Sequence, residues 1–140
     1  MQLLDIHEPG QTPLPHQNDG IAIGIDLGTT HSLVASIREG KPEIITDEKG
    51  RKLLPSVVAY TESGTVTGYA ARELPGAIAS IKRLMGKGVK DLRKISGSLP
   101  YDIAESEGGM VRLNVGNRQL TPIEISAEIL RSLKIRAETA

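Results

Sequence analysis

The stretch that decides the fold reads GIAIGIDLGTTHSLVASI and covers residues 20–37. Ile21 to Ile25 is an apolar run interrupted only by glycine, which predicts a buried strand. Leu33 to Ile37 is a second apolar run and predicts a strand that returns beside the first. Gly28 lies between them and allows backbone angles and a close approach that a side chain would prevent. The pattern therefore predicts a strand, a tight turn and a second strand.

The turn carries groups that suit a metal–phosphate ligand. Consecutive backbone amides in a tight turn form an anion-binding concavity, and Thr29 and Thr30 add hydroxyl donors. Asp26 ends the first strand and can hold Mg²⁺ directly or through its water shell, because Mg²⁺ keeps several waters and few carboxylates. The turn is not a P-loop, which needs a lysine and leads into a helix. An ordinary hairpin turn explains the same residues, so the residues alone leave both interpretations open.

Four blocks, in this order, resemble the DnaK-type 70-kDa heat-shock chaperones: GIDLGTT at 24–30, LPSVVAY at 54–60, IKRLMG at 81–86 and ISAEIL at 125–130. The resemblance implies an α/β (mixed) fold. It corresponds to the N-terminal part of an actin-like/ribonuclease-H-like ATPase domain, with an antiparallel β-meander, helices and a small β cap. The segment LLDIHEPG at 3–10, followed by PHQ at 15–17, resembles a specialised bacterial member that serves iron–sulfur cluster assembly.

The resemblance gives the turn a role in nucleotide binding. Asp26 matches the aspartate that organises Mg²⁺ and its waters near the phosphates. Gly28, Thr29 and Thr30 match residues that cradle the β- and γ-phosphates. His31 joins the loop as a further contact through its backbone, although many family members carry Asn or Tyr there. The implied cofactors are ATP or ADP and Mg²⁺.

Lys82 is the candidate catalytic residue together with Asp26. The matching lysine of the family reaches the γ-phosphate and the attacking water, where an ammonium group offsets charge that develops in the transition state. Arg83 is a candidate for a contact across the cleft. The spacing of the basic residues between positions 82 and 94 would by itself favour a solvated charged face, and the match of the IKRLMG block favours the catalytic role.

The resemblance also implies how the chain is organised. Residues 1–19 form an extended arm, and residues 20–140 form the N-terminal portion of a nucleotide-binding domain with an inserted cap subdomain at about 68–120. The substrate-binding domain and the second half of the nucleotide cleft are absent, so we expect a fragment of an ATP-dependent chaperone that assists iron–sulfur protein maturation. Its complete form would hydrolyse ATP with a J-domain cochaperone and an iron–sulfur scaffold protein as partners. The isolated chain is expected to be inactive, since half a cleft cannot exclude water.

Composition excludes several other functions. The 140 residues have a formal net charge of zero and contain no cysteine, so disulfides, thiolate chemistry and cysteine-held clusters are excluded. Any link to iron–sulfur clusters is therefore indirect. Neutral charge and few aromatic residues predict no nucleic-acid partner. No apolar run approaches 18 residues and the first 20 residues lack the features of a secretory signal, which predicts no membrane partner and a cytoplasmic location.

Turn signals and periodicity predict the remaining elements. Residues 20–68 read as about five antiparallel strands with short turns. Apolar spacing predicts helices over 69–74, 77–85 and 90–95 and strands over 99–104, 110–115 and 118–120. A capping box with proline at the first helical position, TPIE at 121–124, starts a helix that continues to Ala140. The sequence shows no stop signal for that helix.

Two other classes of function remain open. A small-molecule kinase or an actin-like ATPase of the same superfamily would use the same phosphate loop, although the LPSVVAY and IKRLMG blocks disfavour it. A non-catalytic binding module would use the basic face and exposed sheet edges. The three histidines have no metal-ligand spacing, and no Ser–His–Asp set is readable.

Overall fold

A computed structural model of the protein describes residues 21–92, 99–104 and 109–140, and it has a mixed α/β fold. The predicted fold class is confirmed. Within these residues the elements are, in chain order, β1 (Ile23–Asp26), β2 (His31–Arg38), β3 (Lys41–Ile44), β4 (Leu54–Pro55), β5 (Val57–Thr61), β6 (Gly64–Thr67), α1 (Tyr69–Arg72), β7 (Ile78–Ala79), a 3₁₀ helix (Ile81–Leu84), α2 (Val89–Leu92), β8 (Leu113–Val115), β9 (Arg118–Leu120) and α3 (Pro122–Thr139). None of the helices in these ranges is long and apolar enough to cross a membrane.

The predicted strand–turn–strand at the start of the domain is present. β1 and β2 pair antiparallel, with Ile25 opposite Val34 and Asp26 opposite Leu33. β2 is the central strand of a four-stranded sheet, because it also pairs antiparallel with β3 and β4. The turn that follows Asp26 therefore lies between two strands of one sheet.

The prediction that β1 is buried is wrong. All four of its residues are exposed, and Ile25 retains 39% of its side-chain surface in solvent. β1 pairs with β2 on one edge, and no second strand lies beside it within the described residues. Helix α3 packs over the sheet where Val34 is fully buried. The apolar run marked a strand correctly, but its burial depends on what covers the edge of the sheet.

Ser56 divides the predicted strand over 53–60 into two elements. Leu54 and Pro55 form β4 beside β2, whereas β5 is the central strand of a second sheet with the order β6-β5-β7. Proline has no backbone N–H to donate to a ladder, and the N–H of Ser56 donates instead to the carbonyl oxygen of Thr30 at 2.9 Å. Ser56 thus joins the two sheets at the turn between β1 and β2.

The predicted helix over 77–85 is wrong. Ile78 and Ala79 form β7, which pairs with β5, and Ser80 adopts a left-handed conformation with φ 56° before the short 3₁₀ helix. One edge of β5 would otherwise carry unpaired backbone N–H and C=O groups. Pairing with Ile78 and Ala79 gives the backbone groups of both segments hydrogen-bond partners. Ile78 and Ile81 of the predicted apolar face (Ile78, Ile81 and Met85) are buried, whereas Met85 is half-buried and Leu84 is buried in the core instead. The periodicity therefore marked contacts with the core and not an α-helix.

Between the 3₁₀ helix and β8, the helix and strands are shorter than the sequence predicts. Helix α2 covers the start of the predicted helix over 90–95, and residues 93–95 lie outside the described ranges. In place of a strand over 99–104, Ile103 makes a single bridge to Leu113, and β8 occupies only the end of the predicted strand over 110–115. The β8–β9 hairpin turns at Gly116, with φ 60°, as predicted. The arm at 1–19 lies outside the described residues, and the domain boundaries remain predictions.

Helix α3 begins with the predicted capping box. The N–H of Glu124 donates to Thr121 Oγ1 at 3.2 Å, and the N–H of Thr121 donates to Glu124 Oε2 at 2.7 Å. The hydrogen bond from the Thr121 backbone is the main cause that lowers the pKa of Glu124. Ile125, Ile129 and Leu133 face inward with at most 1% of their surface exposed. This stripe fixes α3 against the core.

A single apolar cluster connects the two sheets, the 3₁₀ helix, β8 and α3. Its fully or nearly fully buried members are Val34, Ile45, Leu54, Val58, Ile78, Ile81, Leu84, Val111, Leu113, Ile125, Ile129 and Leu133. A smaller cluster on the other face of β5 packs against α1. Val34 of β2 belongs to the main cluster and Leu27 of the first turn packs against it, so the turn is anchored to the core.

Candidate functional site

The predicted phosphate loop is the connection between β1 and β2. Asp26 is exposed at the last position of β1, Thr29 is half-buried and Thr30 is exposed. β2 begins at His31, so only residues 27–30 separate the strands. The loop therefore presents a carboxylate and two threonines at one end of the sheet.

Gly28 is required by a close approach within the loop. A Cβ atom at Gly28 would lie 2.0 Å from the carbonyl oxygen of His31, a separation that two nonbonded atoms cannot occupy. Gly28 is not among the glycines with positive φ. The predicted close approach is thus confirmed, whereas no special backbone angle is needed.

A closed ring of hydrogen bonds joins the backbone of Gly28 to the buried side chains of Ser32 and Ser56. The N–H of Gly28 donates to Ser32 Oγ at 3.2 Å, and the hydroxyl of Ser56 donates to the carbonyl oxygen of Gly28 at 2.8 Å. The two serine oxygens are 2.9 Å apart. A hydroxyl has one proton, so with the proton of Ser56 engaged, the Ser32 hydroxyl donates to Ser56. Both serines are buried, and the ring fixes the position of the loop on the sheet.

Sequence reasoning missed the role of these two serines. Ser32, Val34 and Ser36 are the buried residues of β2 and alternate with less buried ones. Hydroxyls at inward positions of a strand require partners, so the alternation carried a signal. The partner of Ser32 lies 24 residues further along the chain, and nothing in the local sequence identifies it.

Ser56→Ala is expected to lower the free energy of unfolding by about 1–3 kcal/mol, because it leaves buried polar groups of the ring without a partner. Chemical denaturation followed by circular dichroism measures the loss. Ser63→Ala is the matched control, since Ser63 lies in the exposed β5–β6 turn; its effect should stay within about 0.5 kcal/mol. Equal midpoints for the two variants would contradict the role of the ring.

Two backbone hydrogen bonds bring the start of the 3₁₀ helix towards the loop. The N–H of Ser56 donates to Thr30 at 2.9 Å, and the carbonyl oxygen of Ser56 accepts from the N–H of Ser80 at 3.3 Å. Lys82 follows two positions later and is exposed, as is Arg83. The fold therefore places the backbone of the predicted catalytic segment near the loop. The roles of Asp26 and Lys82 themselves remain predictions.

The side chain of His31 points to a contact that the sequence did not suggest. Its Nε2 atom lies 3.5 Å from Nη2 of Arg72 in α1, and the Arg72 guanidinium lies 5.4 Å from the ring centroid of Tyr69. Arg51 also approaches the Tyr69 ring, with its guanidinium carbon 4.0 Å from the ring centroid, but its Nε donates to the Asp47 carboxylate at 2.7 Å.

The pKa of the Asp47 carboxyl is lowered mainly because this group accepts a hydrogen bond from the backbone N–H of Arg51.

The residues present fit a hydrated Mg²⁺ ion better than a metal held by protein ligands alone. In the described ranges, no group of three or more His, Cys, Asp or Glu side chains could hold a metal ion. A single exposed carboxylate, Asp26, beside a loop too tight for a side chain matches the preference of Mg²⁺ for waters and phosphate oxygens. Thr29 and Thr30 supply the adjacent donors.

Comparisons with known proteins find similarity over nearly the whole chain. The family model described as "Hsp70 protein" matches residues 22–140. The chain is similar to proteins named "Chaperone protein HscA homolog": 45% identical over 142 positions to that of Photobacterium profundum (98% of this chain), 47% over 143 to that of Vibrio campbellii and 49% over 144 to that of Ralstonia nicotianae (both 99% of this chain). The chain spans 23% of the length of each of these relatives.

Proposed function

The chain belongs to the Hsp70 family, and on this basis we propose that its loop at 26–30 binds the phosphates of Mg·ATP. The observation that carries the proposal is the loop itself. Gly28 is held by Ser32 and Ser56 from beneath, while Asp26 and Thr30 remain exposed. Backbone donors that are fixed before the ligand arrives are well suited to phosphate, because little reorganisation is needed on binding.

Each residue of the loop has a distinct part in this proposal. Mg²⁺, when bound, neutralises phosphate charge. Asp26 orients its water shell, and the amides and hydroxyls of Thr29 and Thr30 donate to phosphate oxygens. His31 contributes through its backbone. Lys82 offsets negative charge at the terminal phosphate during hydrolysis in the complete protein.

We further propose that the complete protein is an ATP-dependent chaperone for iron–sulfur protein maturation in the cytoplasm. The names of the relatives and the resemblance of residues 3–17 support this proposal. Its partners would be a J-domain cochaperone and an iron–sulfur scaffold protein. Because this chain contains no cysteine, its contribution to cluster transfer is through nucleotide-driven changes and not through cluster ligation.

Calorimetry of Mg·ATP binding, on this chain and on Asp26→Asn and Lys82→Ala, tests the proposal. Asp26→Asn should weaken Mg·ATP binding by roughly tenfold, about 1.4 kcal/mol, and should not weaken binding of ATP without Mg²⁺, because the carboxylate then only repels phosphate. Lys82→Ala should weaken binding of ATP more than binding of ADP. The controls are Glu62→Gln and Lys90→Ala, which change one exposed charge in the β5–β6 turn and in α2.

The outcomes separate the competing functions. If Asp26→Asn binds Mg·ATP as the Glu62→Gln control does, the loop is not the metal–phosphate site and a non-catalytic binding module is favoured. If the chain is folded by circular dichroism and binds no nucleotide, the proposal that these residues are sufficient for the phosphate contacts fails. Phosphate transfer to a small molecule by a longer form of the protein would favour the kinase alternative.

A further inference from the structure

A cavity of about 300 Å³ lies directly beside the loop. Its polar wall is formed by Thr30, Ser56, Ser80 and Arg72, and the remaining lining residues are small apolar side chains. The backbone bonds that join Ser56 to Thr30 and to Ser80 hold three of these walls together. The volume is sufficient for a phosphate group with its bound water, since a water in the liquid takes about 30 Å³.

Arg72 brings an uncompensated positive charge to this cavity. Arg38, Arg51 and Arg131 each pair with a carboxylate, whereas Arg72 forms no ion pair within the described part of the chain. Its guanidinium contacts the His31 ring and lies near the Tyr69 ring, and neither of these neutralises it. A guanidinium in such a position retains donors for a planar, bidentate contact with a phosphate.

Ser80 lines the same cavity in a strained left-handed conformation. It is one of two non-glycine residues with positive φ in the described ranges, and its side chain makes no capping hydrogen bond. Such conformations persist where the surrounding structure imposes them and are concentrated at functional sites. Here the bond from its N–H to Ser56 holds it at the edge of the cavity.

We propose that Arg72, with the hydroxyls of Thr30 and Ser80, forms a second anion subsite that takes the terminal phosphate group of a polyphosphate bound to the loop. The inference rests on the proposed function of the loop and adds a residue from α1, outside all four blocks of family resemblance. The tetrahedral phosphate group is the ligand chemistry that a cation between two hydroxyls recognises. The His31 ring lies beside this guanidinium, with its Nε2 atom 3.5 Å from Nη2 of Arg72.

Arg51 offers a matched control. It approaches the same Tyr69 ring, but it is paired with Asp47 and does not line the cavity. Removing either guanidinium lowers the total charge by the same amount and removes a contact with the same aromatic ring. A difference between the two variants therefore reports the subsite and not general electrostatic attraction.

The test is NMR titration of the ¹⁵N-labelled chain with sodium tripolyphosphate, following the backbone amides of residues 28–31 and the Arg72 Nε–H group. The signals of the loop amides and of the Arg72 Nε–H group should both shift on titration and should give the same dissociation constant. Arg72→Ala should weaken binding measured at the loop amides by roughly tenfold, and Arg72→Lys should weaken it less, since lysine keeps the charge but not the bidentate geometry. Arg51→Ala should change the constant by less than about twofold. Arg72 is exposed, so its replacement should not disturb the core. Amide signals that stay unchanged away from the loop and α1 will show that each variant is folded.

Each outcome decides between the two proposals. If loop amides respond and Arg72→Ala behaves as Arg51→Ala does, the subsite is overturned while the phosphate loop stands. If the Arg72 Nε–H group responds and the loop amides do not, both proposals are overturned, because the subsite is proposed for the terminal group of a polyphosphate that the loop holds. If neither responds to tripolyphosphate, both proposals are overturned.

Discussion

Gly28→Ala is expected to have the largest effect on the site, with a roughly hundredfold loss of Mg·ATP affinity, about 2.8 kcal/mol. The added Cβ would lie 2.0 Å from the His31 carbonyl oxygen and 3.2 Å from its carbon. Both are backbone atoms that a side-chain rotation cannot move away. The loop must therefore open, which separates Gly28 from Ser32 and Ser56 and displaces the amides of Thr29 and Thr30 that we propose as phosphate donors.

The same change should lower the free energy of unfolding by roughly 2–5 kcal/mol, which combines the cost of overpacking with that of unsatisfied polar groups. Gly24→Ala is the matched control, because Gly24 lies in β1 and its added Cβ has no atom within 4 Å. That variant should stay within about 0.5 kcal/mol of the parent chain. Calorimetry for affinity and chemical denaturation for stability measure the two effects. Similar values for both alanine variants would show that the turn does not need its close approach.

Leu133→Ala is expected to cause a loss of stability as large as that of Gly28→Ala, about 2–5 kcal/mol. Leu133 is fully buried in the cluster that joins α3 to both sheets, and truncation leaves a cavity that the surrounding strands cannot fill. Against a typical total of about 5–15 kcal/mol for a domain, this loss removes a large fraction of the stability. Urea denaturation followed by the circular dichroism of the helices measures it.

Leu130→Ala provides the comparison within the same helix. Leu130 keeps 37% of its surface exposed, and leucine and alanine differ little in helix propensity. The difference between the two variants therefore isolates burial. We expect Leu130→Ala to cost less than half as much as Leu133→Ala. Equal losses would contradict the inward stripe of α3.

Prediction of local structure from the sequence succeeded where the contacts are between near neighbours. The turn after Asp26, the close approach at Gly28 and the capping box at Thr121 each involve residues within five positions of one another. A tight turn or a helix start is specified by the residues that form it. The family resemblance predicts that Lys82 belongs to the same site, and the substitution described above tests that prediction.

Contacts between segments that are distant in the chain could not be predicted from the local sequence. Ser32 lies in β2 and Ser56 lies between β4 and β5, 24 positions further along the chain, and the Arg72 side chain approaches His31 over 41 positions of sequence. The periodicity over 77–85 indicated which side chains are buried, but Ile78 pairs with β5 instead of entering a helix. In each case a hydrogen-bonding partner from a distant segment decided the local conformation.

The sequence by itself determined the family, the β1–β2 hairpin with its close approach at Gly28, and the start of α3. Only the tertiary structure decided that β1 is exposed, that Ser56 joins two sheets, and that Arg72 shares a cavity with Thr30. The reason is physical. Turns and caps are closed by bonds between near neighbours, whereas the burial of a strand and the satisfaction of a buried hydroxyl depend on which distant surface comes to lie against them.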